Sequence, residues 1–201
     1  MAQQAHWDIV TGVGITALMV AAGRAIETHR PDPLVTDPYA EAFVHAAALP
    51  VPMPTRAGTV PDPKSPLNWN ALATYSGVRS RFFDEFFSST SNSGIDQVVL
   101  LAAGLDTRAY RLQWNAGTTV YELDAPKVLE FKDRVLADQG ARPQCRRQIV
   151  GCDLREDWCS ALQQMGFDSS RPTAWLAEGL LPFLSDEAQD NLFTQVHQLS
   201  V

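Results

Sequence analysis

Residues 96–108 read DQVVLLAAGLDTR, and this stretch decides the fold. Asp96 to Ala103 is a short, nearly continuous apolar run, the pattern of a strand buried on both faces. It ends in Ala102, Ala103 and Gly104. Small residues at such a turn let the backbone come close to a ligand. The turn is not G-x-G-x-x-G, which argues against a pyrophosphate seated on a helix N-terminus.

Three more runs of the same kind follow: Thr118 to Leu123 (TTVYEL), Gln148 to Cys152 (QIVGC) and Thr173 to Ala177 (TAWLA). Helical patterns separate them, from Arg108 onward, over Lys127 to Gln139 and over Glu156 to Met165. Strand alternating with helix predicts an α/β fold with a parallel sheet and right-handed crossovers, of Rossmann-like type. A last helix is predicted over Asp186 to Leu199. Only four strands are legible before Val201, so the C-terminal strands of such a sheet read as missing.

Upstream the chain reads as helical. Val13, Thr16, Ala17, Val20, Ala21 and Arg24 recur at helical spacing within Trp7 to Thr28, with Thr11 as a candidate N-cap. Asp37 reads as the N-cap of a second helix, with Pro38 at its first position. Pro50 to Pro66 is rich in Pro, Gly and Thr; it reads as a long ordered loop or lid, and its composition suits a flexible linker between two domains nearly as well. A long helix is predicted from Trp69 to Phe87, with Tyr75, Val78, Phe82, Phe83 and Phe86 as one apolar stripe, ending at a polar breaker over Ser88 to Gly94. The expected organisation is a helical extension and lid over 1–93 and a Rossmann-like core, incomplete, over 94–201.

Composition narrows the function. The chain has 201 residues, 45% of them hydrophobic, enough for one substantial core. Its net charge of −7 does not suit nucleic-acid backbones or an anionic membrane surface. The apolar run Val13 to Ala22 has no basic residue before it and is too short to span a bilayer, so a cytoplasmic protein is expected. Cys145, Cys152 and Cys159 form no C-x-x-C pair and read as free thiols. The four histidines are scattered, and no metal site is expected.

In a doubly wound sheet, ligands bind beyond the C-terminal strand ends. The second strand ends in Glu122-Leu123-Asp124. An acidic residue there, about 20 positions after the turn, suits a ribose diol; capping the helix that opens at Pro126 is a compatible role. The third strand ends in Cys152-Asp153-Leu154, where Asp153 suits an adenine amine or a helix cap equally. The fourth ends in Ala177-Glu178-Gly179, where Glu178 suits an ammonium group, a position near a transferring methyl, or a turn. Four strand ends carrying small or acidic residues suit a nucleoside ligand that is neutral to cationic. S-adenosyl-L-methionine, with ribose, adenine, ammonium and sulfonium but no phosphate, meets that description.

The stretches VVLLAAGLDTRAYRL, VYELDAP, Cys152-Asp153-Leu154 and AEGLLPFL resemble the leucine carboxyl methyltransferase-like family, in particular its actinobacterial branch of S-adenosyl-L-methionine-dependent methyltransferases. WDIVTGVGITALMVAAGRAIET, DPLVTDPYAEAFV and the helix carrying Arg79-Ser80-Arg81-Phe82-Phe83-Asp84 agree with it. The resemblance implies a class I methyltransferase fold and S-adenosyl-L-methionine as cofactor. By position it implies Asp124 for the ribose, Asp153 and Leu154 for the adenine, Ala102 and Gly104 under the methionine part, Glu178 at the amino group and Arg79 at the carboxylate.

The expected reaction is O-methylation of a small carboxylate or hydroxyl acceptor, with no nucleic-acid partner. A hydroxyl acceptor would need a base, for which Tyr39, Tyr75 and Glu178 are candidates; no catalytic residue is assigned. Two alternatives stand beside this reading. One is a truncated, non-catalytic remnant that binds cofactor weakly or not at all. The other is a nicotinamide-dependent oxidoreductase, which shares the sheet and Asp124 but lacks the glycines at the turn.

Overall fold

A computed structural model describes residues 13–59 and 67–201. Thr11 as a cap, the helix start at Trp7 and the part of the proline-rich loop over 60–66 lie outside the described residues. The chain divides into two compact units. The first comprises the described residues up to 86 together with 130–142, the second 87–129 and 143–201. Among the described residues no helix is long and apolar enough to cross a membrane.

In the first unit α1 spans Val13–Thr28, α2 Ala40–Ala46 and the long α3 Trp69–Asn92, the last of these running on into the second unit. The second helix begins later than the Asp37-Pro38 reading places it, with Tyr39 as its N-cap. Asp37 is drawn elsewhere: it is buried and pairs with Arg24 of α1 at 2.8 Å. Its other oxygen accepts the Tyr39 amide at 3.1 Å.

The long helix also departs from expectation. It continues through the serine-rich stretch to Asn92, where Thr90 Oγ1 donates back to the Phe87 carbonyl at 3.0 Å. More important is its orientation. Tyr75, Val78 and Phe82 do form a stripe, but they are 57%, 54% and 67% exposed. The buried side carries Ala73, Ser76, Gly77, Ser80 and Asp84 and, further along, Phe87, while Phe83 of the predicted stripe is half-buried. The reason lies in α1. A Cβ on Gly77 would stand 2.7 Å from Cδ of Glu27, and one on Gly23 would stand 2.5 Å from Oγ of Ser76. The two helices approach through small residues, and the aromatic side chains have no room at that crossing.

The second unit holds a four-stranded parallel sheet. The strands are β1 Gln97–Leu101, β2 Thr119–Asp124, β3 Arg146–Gly151 and β4 Thr173–Leu176, in the order β3-β2-β1-β4. The crossovers run through α4 (Arg108–Arg111), α5 (Pro126–Asp138, shared with the first unit) and α6 (Trp158–Gln164); a 3-10 turn at Leu181–Phe183 and α7 (Asp186–Gln198) follow. The central β1 is buried along its whole length, as its apolar run predicts. The edge strand β3 is not: Ile149 stays exposed, because a strand paired on one side is covered less completely.

One face of the sheet packs Val99, Leu101, Tyr121, Leu123 and Val150 against Trp158, Leu162, Phe167, Leu192 and Leu199. Val98, Leu100 and Val120, of opposite alternation, are buried as well. At the bottom of the sheet the buried amide of Gln97 acts as a clasp. It donates to the Asp168 carbonyl (2.9 Å) and to Thr173 Oγ1 (2.8 Å), and accepts the Asp168 amide (3.1 Å).

Candidate functional site

Because all four strands are parallel, their C-terminal ends share one edge. The register places Leu101 beside Leu123, Asp124 beside Gly151, and Leu100 beside Leu176. The residues that follow therefore converge: 102–108 after β1, Asp124 closing β2, 152–155 after β3 and 177–179 after β4.

The turn after β1 is built for backbone approach. Ala102 has φ 52° and Gly104 φ 49°, both left-handed. For alanine that conformation carries a steric cost of about 1–2 kcal/mol, which a surrounding structure must hold in place. The Gly104 amide donates to Asp124 Oδ2, the Ala125 amide to Asp124 Oδ1, and the Ala103 amide to the Leu123 carbonyl. Asp124 is half-buried and oriented by backbone on both oxygens. A carboxylate offers about four lone-pair sites, so this anchoring is compatible with accepting hydroxyls. The cap of α5 is Ala125 rather than Asp124, since its carbonyl takes the Val128 amide.

Glu122, two residues earlier, has a different place. It is fully buried, and Arg147 of β3 donates to its Oε2 from both Nε (2.9 Å) and Nη2 (2.7 Å). The guanidinium also stacks on Tyr110, 5.3 Å from the ring centre. Glu122 belongs to a packed ion pair inside the unit.

Asp153 accepts the Arg155 amide at 2.9 Å and pairs with the Arg155 guanidinium. Hydrogen bonding from that guanidinium holds its carboxyl below the usual aspartate range. It is not a helix cap: α6 starts later, and Asp157 caps it by accepting the Ser160 amide. Leu154 is half-buried against the sheet core.

Glu178 sits just past β4, mostly buried, before Gly179 in a left-handed conformation. Its Oε2 pairs with Arg108 Nη1 at 2.7 Å. Arg108 also pairs with Asp106, and its guanidinium lies over Phe87. Sequence reasoning misses Asp106 and Arg108; the signal for them is their i, i+2 spacing in Asp106-Thr107-Arg108 at the head of a helix.

The structure thus brings Ala102, Gly104, Asp124, Asp153, Leu154 and Glu178 to one sheet edge within the second unit. Arg79 stands in the first unit on α3, with its guanidinium 5.4 Å from the Tyr75 ring. Tyr39 and Tyr75 also belong to that unit. The three cysteines are free thiols.

Comparison with known proteins gives this edge its context. The leucine carboxyl methyltransferase family profile matches residues 17–197. A protein of Saccharopolyspora erythraea named "Putative S-adenosyl-L-methionine-dependent methyltransferase" is 54% identical over 200 residues, covering 100% of this chain and 68% of its own. Proteins of the same name from Mycobacterium sp. (strain KMS) and Mycobacteroides abscessus are 53% and 55% identical, covering 96% of this chain in each case. This chain covers 66% and 62% of them, so it spans about two thirds of the length of these relatives. An α/β chain with a parallel sheet, a glycine-poor turn after β1 and this degree of identity belongs to the leucine carboxyl methyltransferase family, and with it to the S-adenosyl-L-methionine-dependent methyltransferases.

Proposed function

We propose that this chain binds S-adenosyl-L-methionine at the strand-end edge and serves O-methylation of a small carboxylate or hydroxyl acceptor. The observation that carries the reading is the Asp124 carboxylate, held by the Gly104 and Ala125 amides beside a turn whose Ala102 and Gly104 are both left-handed. The donor set fits the cofactor. Carboxylates at three strand ends suit hydroxyl, amine and ammonium donors. The turn does not present the glycine-rich amide cradle that phosphates require.

In this reading Asp124 holds the ribose, Asp153 and Leu154 the adenine, Ala102 and Gly104 the methionine part, and Glu178 the amino group. Arg79 takes the carboxylate, and the helices and loop over 1–93 act as extension and lid. When bound, S-adenosyl-L-methionine supplies a methyl group already activated on a sulfonium. The protein's work is then alignment and exclusion of water. A carboxylate acceptor arrives ionised near neutral pH, so no side chain has to remove a proton. The acidic chain disfavours nucleic acid as the acceptor.

The test is calorimetric titration of the purified chain with S-adenosyl-L-methionine, beside its Asp124→Ala variant. Binding by the parent, weakened by about a hundredfold in the variant, supports the reading. A well-folded parent that takes up no cofactor overturns it. A screen of small acids and phenols with labelled cofactor then identifies the acceptor; transfer only to RNA or protein lysines rules out the acceptor class proposed.

A further inference from the structure

We propose that Arg108 is a positioning residue, which acts on the cofactor through Glu178. The inference rests on the reading above, in which Glu178 meets the amino group. Glu178 lies beyond the last residue of β4 and before Gly179, whose φ is 71°. A glutamate at such a point has three side-chain torsions to settle, and a binding group has to be held to within about 0.5 Å to be useful.

Arg108 supplies that restraint because it is itself held at every level. Its amide donates to Asp106 Oδ1 at 2.6 Å, and its carbonyl accepts Trp114 Nε1 at 3.0 Å. Its guanidinium pairs with Asp106 and lies 6.0 Å from the centre of the Phe87 ring. Its side chain is 3% exposed. From this fixed base Nη1 reaches Glu178 Oε2 at 2.7 Å. β1 and β4 are adjacent strands, so the contact ties the turn under the methionine part to the carboxylate at its amino end.

A cation beside Glu178 also weakens that carboxylate's pull on a second cation. The arrangement gives up some attraction for placement, and the two effects predict opposite results when Arg108 is removed. Placement predicts weaker binding, and only of ligands that carry the amino group.

The experiment titrates the parent, Arg108→Met and Arg108→Lys with two probes, S-adenosylhomocysteine and 5′-methylthioadenosine. The second lacks the amino-acid portion and reports the integrity of the rest of the pocket. Arg108→Met should weaken S-adenosylhomocysteine by about tenfold or more, and change 5′-methylthioadenosine by less than about twofold. Arg108→Lys keeps the charge without the planar fork and should fall between. In a Glu178→Gln background, Arg108→Met should add less than about twofold, because the residue it acts through is already altered.

Equal weakening of both probes, or unchanged or tighter binding of S-adenosylhomocysteine, overturns the proposal. Should Arg108→Met not fold, Arg108→Lys decides it by the same ratio of the two probes. A parent that binds neither probe overturns the cofactor reading itself, and this inference with it.

Discussion

The Gly104 amide donates to Asp124 Oδ2 across 2.6 Å, and the Ala125 amide to Oδ1 across 2.7 Å. One carboxylate thus joins the turn after β1 to the end of β2 even without a ligand. Asp124→Ala leaves two amides without their acceptor and should cost about 1–3 kcal/mol of stability in the absence of cofactor. Urea denaturation measures this. An unchanged midpoint would show that those amides find other partners and that the carboxylate does not brace the turn.

Glu122 and Asp124 are separated by one residue and should behave in opposite ways. Removing Glu122 as Glu122→Leu leaves Arg147 buried without its carboxylate, at a cost of about 3–5 kcal/mol. Adding Arg147→Met should recover most of it. The double variant should bind S-adenosyl-L-methionine as the parent does. Lost binding in a stable double variant would move the ribose contact to Glu122.

Ala102 holds a backbone conformation that glycine adopts freely. Ala102→Gly should therefore raise stability by about 0.5–1 kcal/mol, whereas a β-branched Ala102→Val should lower it by about 2 kcal/mol. Thermal melts of both decide. A destabilised glycine variant would mean that the methyl group packs more than it strains.

Burial pushes the Cys145 thiol up to about 12 and the Cys152 thiol up to about 11, and raises that of Cys159. A raised value favours the neutral thiol in the folded state. The resulting stabilisation is complete below the ordinary thiol value of 9.0 and is lost as pH rises towards 12. Alkylation by iodoacetamide near neutral pH should be slow in the native protein and fast in denaturant. Equal rates would contradict the burial. Unfolding free energy should decline over the same alkaline range.

The inverted long helix predicts an inverted mutational pattern. Phe82→Ser, at an exposed aromatic, should change stability by less than about 0.5 kcal/mol. Gly77→Ala should cost about 1–3 kcal/mol in spite of alanine's better helix propensity. The added methyl meets Glu27, which cannot step aside: it is buried and holds Arg30 and the Leu34 amide, at 2.7 and 2.8 Å. A stable Gly77→Ala beside an unfolded Phe82→Ser would reverse the assignment of faces.

The strands and their shared edge were legible because a strand covered on both faces has to be apolar throughout. Val98 to Leu101 announces itself this way, and so does the turn that follows. The orientation of the long helix was not legible. The usual rule buries the apolar stripe, and here close approach to α1 selects Ser76 and Gly77 for the inside. Arg147 could not be assigned to Glu122 before the register of β2 on β3 was known. Arg108 was hidden for a similar reason: its partner Glu178 lies 70 residues further on, and only the adjacency of β1 and β4 brings them together.

The Gln97 clasp has a consequence for how the chain is made. Its partners Asp168 and Thr173 lie 71 and 76 residues downstream. At ordinary elongation rates the ribosome takes about 4–15 s to cover that distance. Throughout that interval the most apolar strand of the sheet has one edge without its neighbour, and such an edge recruits other chains. Slowing elongation between β1 and β4 should therefore divert nascent chains into aggregates without altering the finished molecule at all.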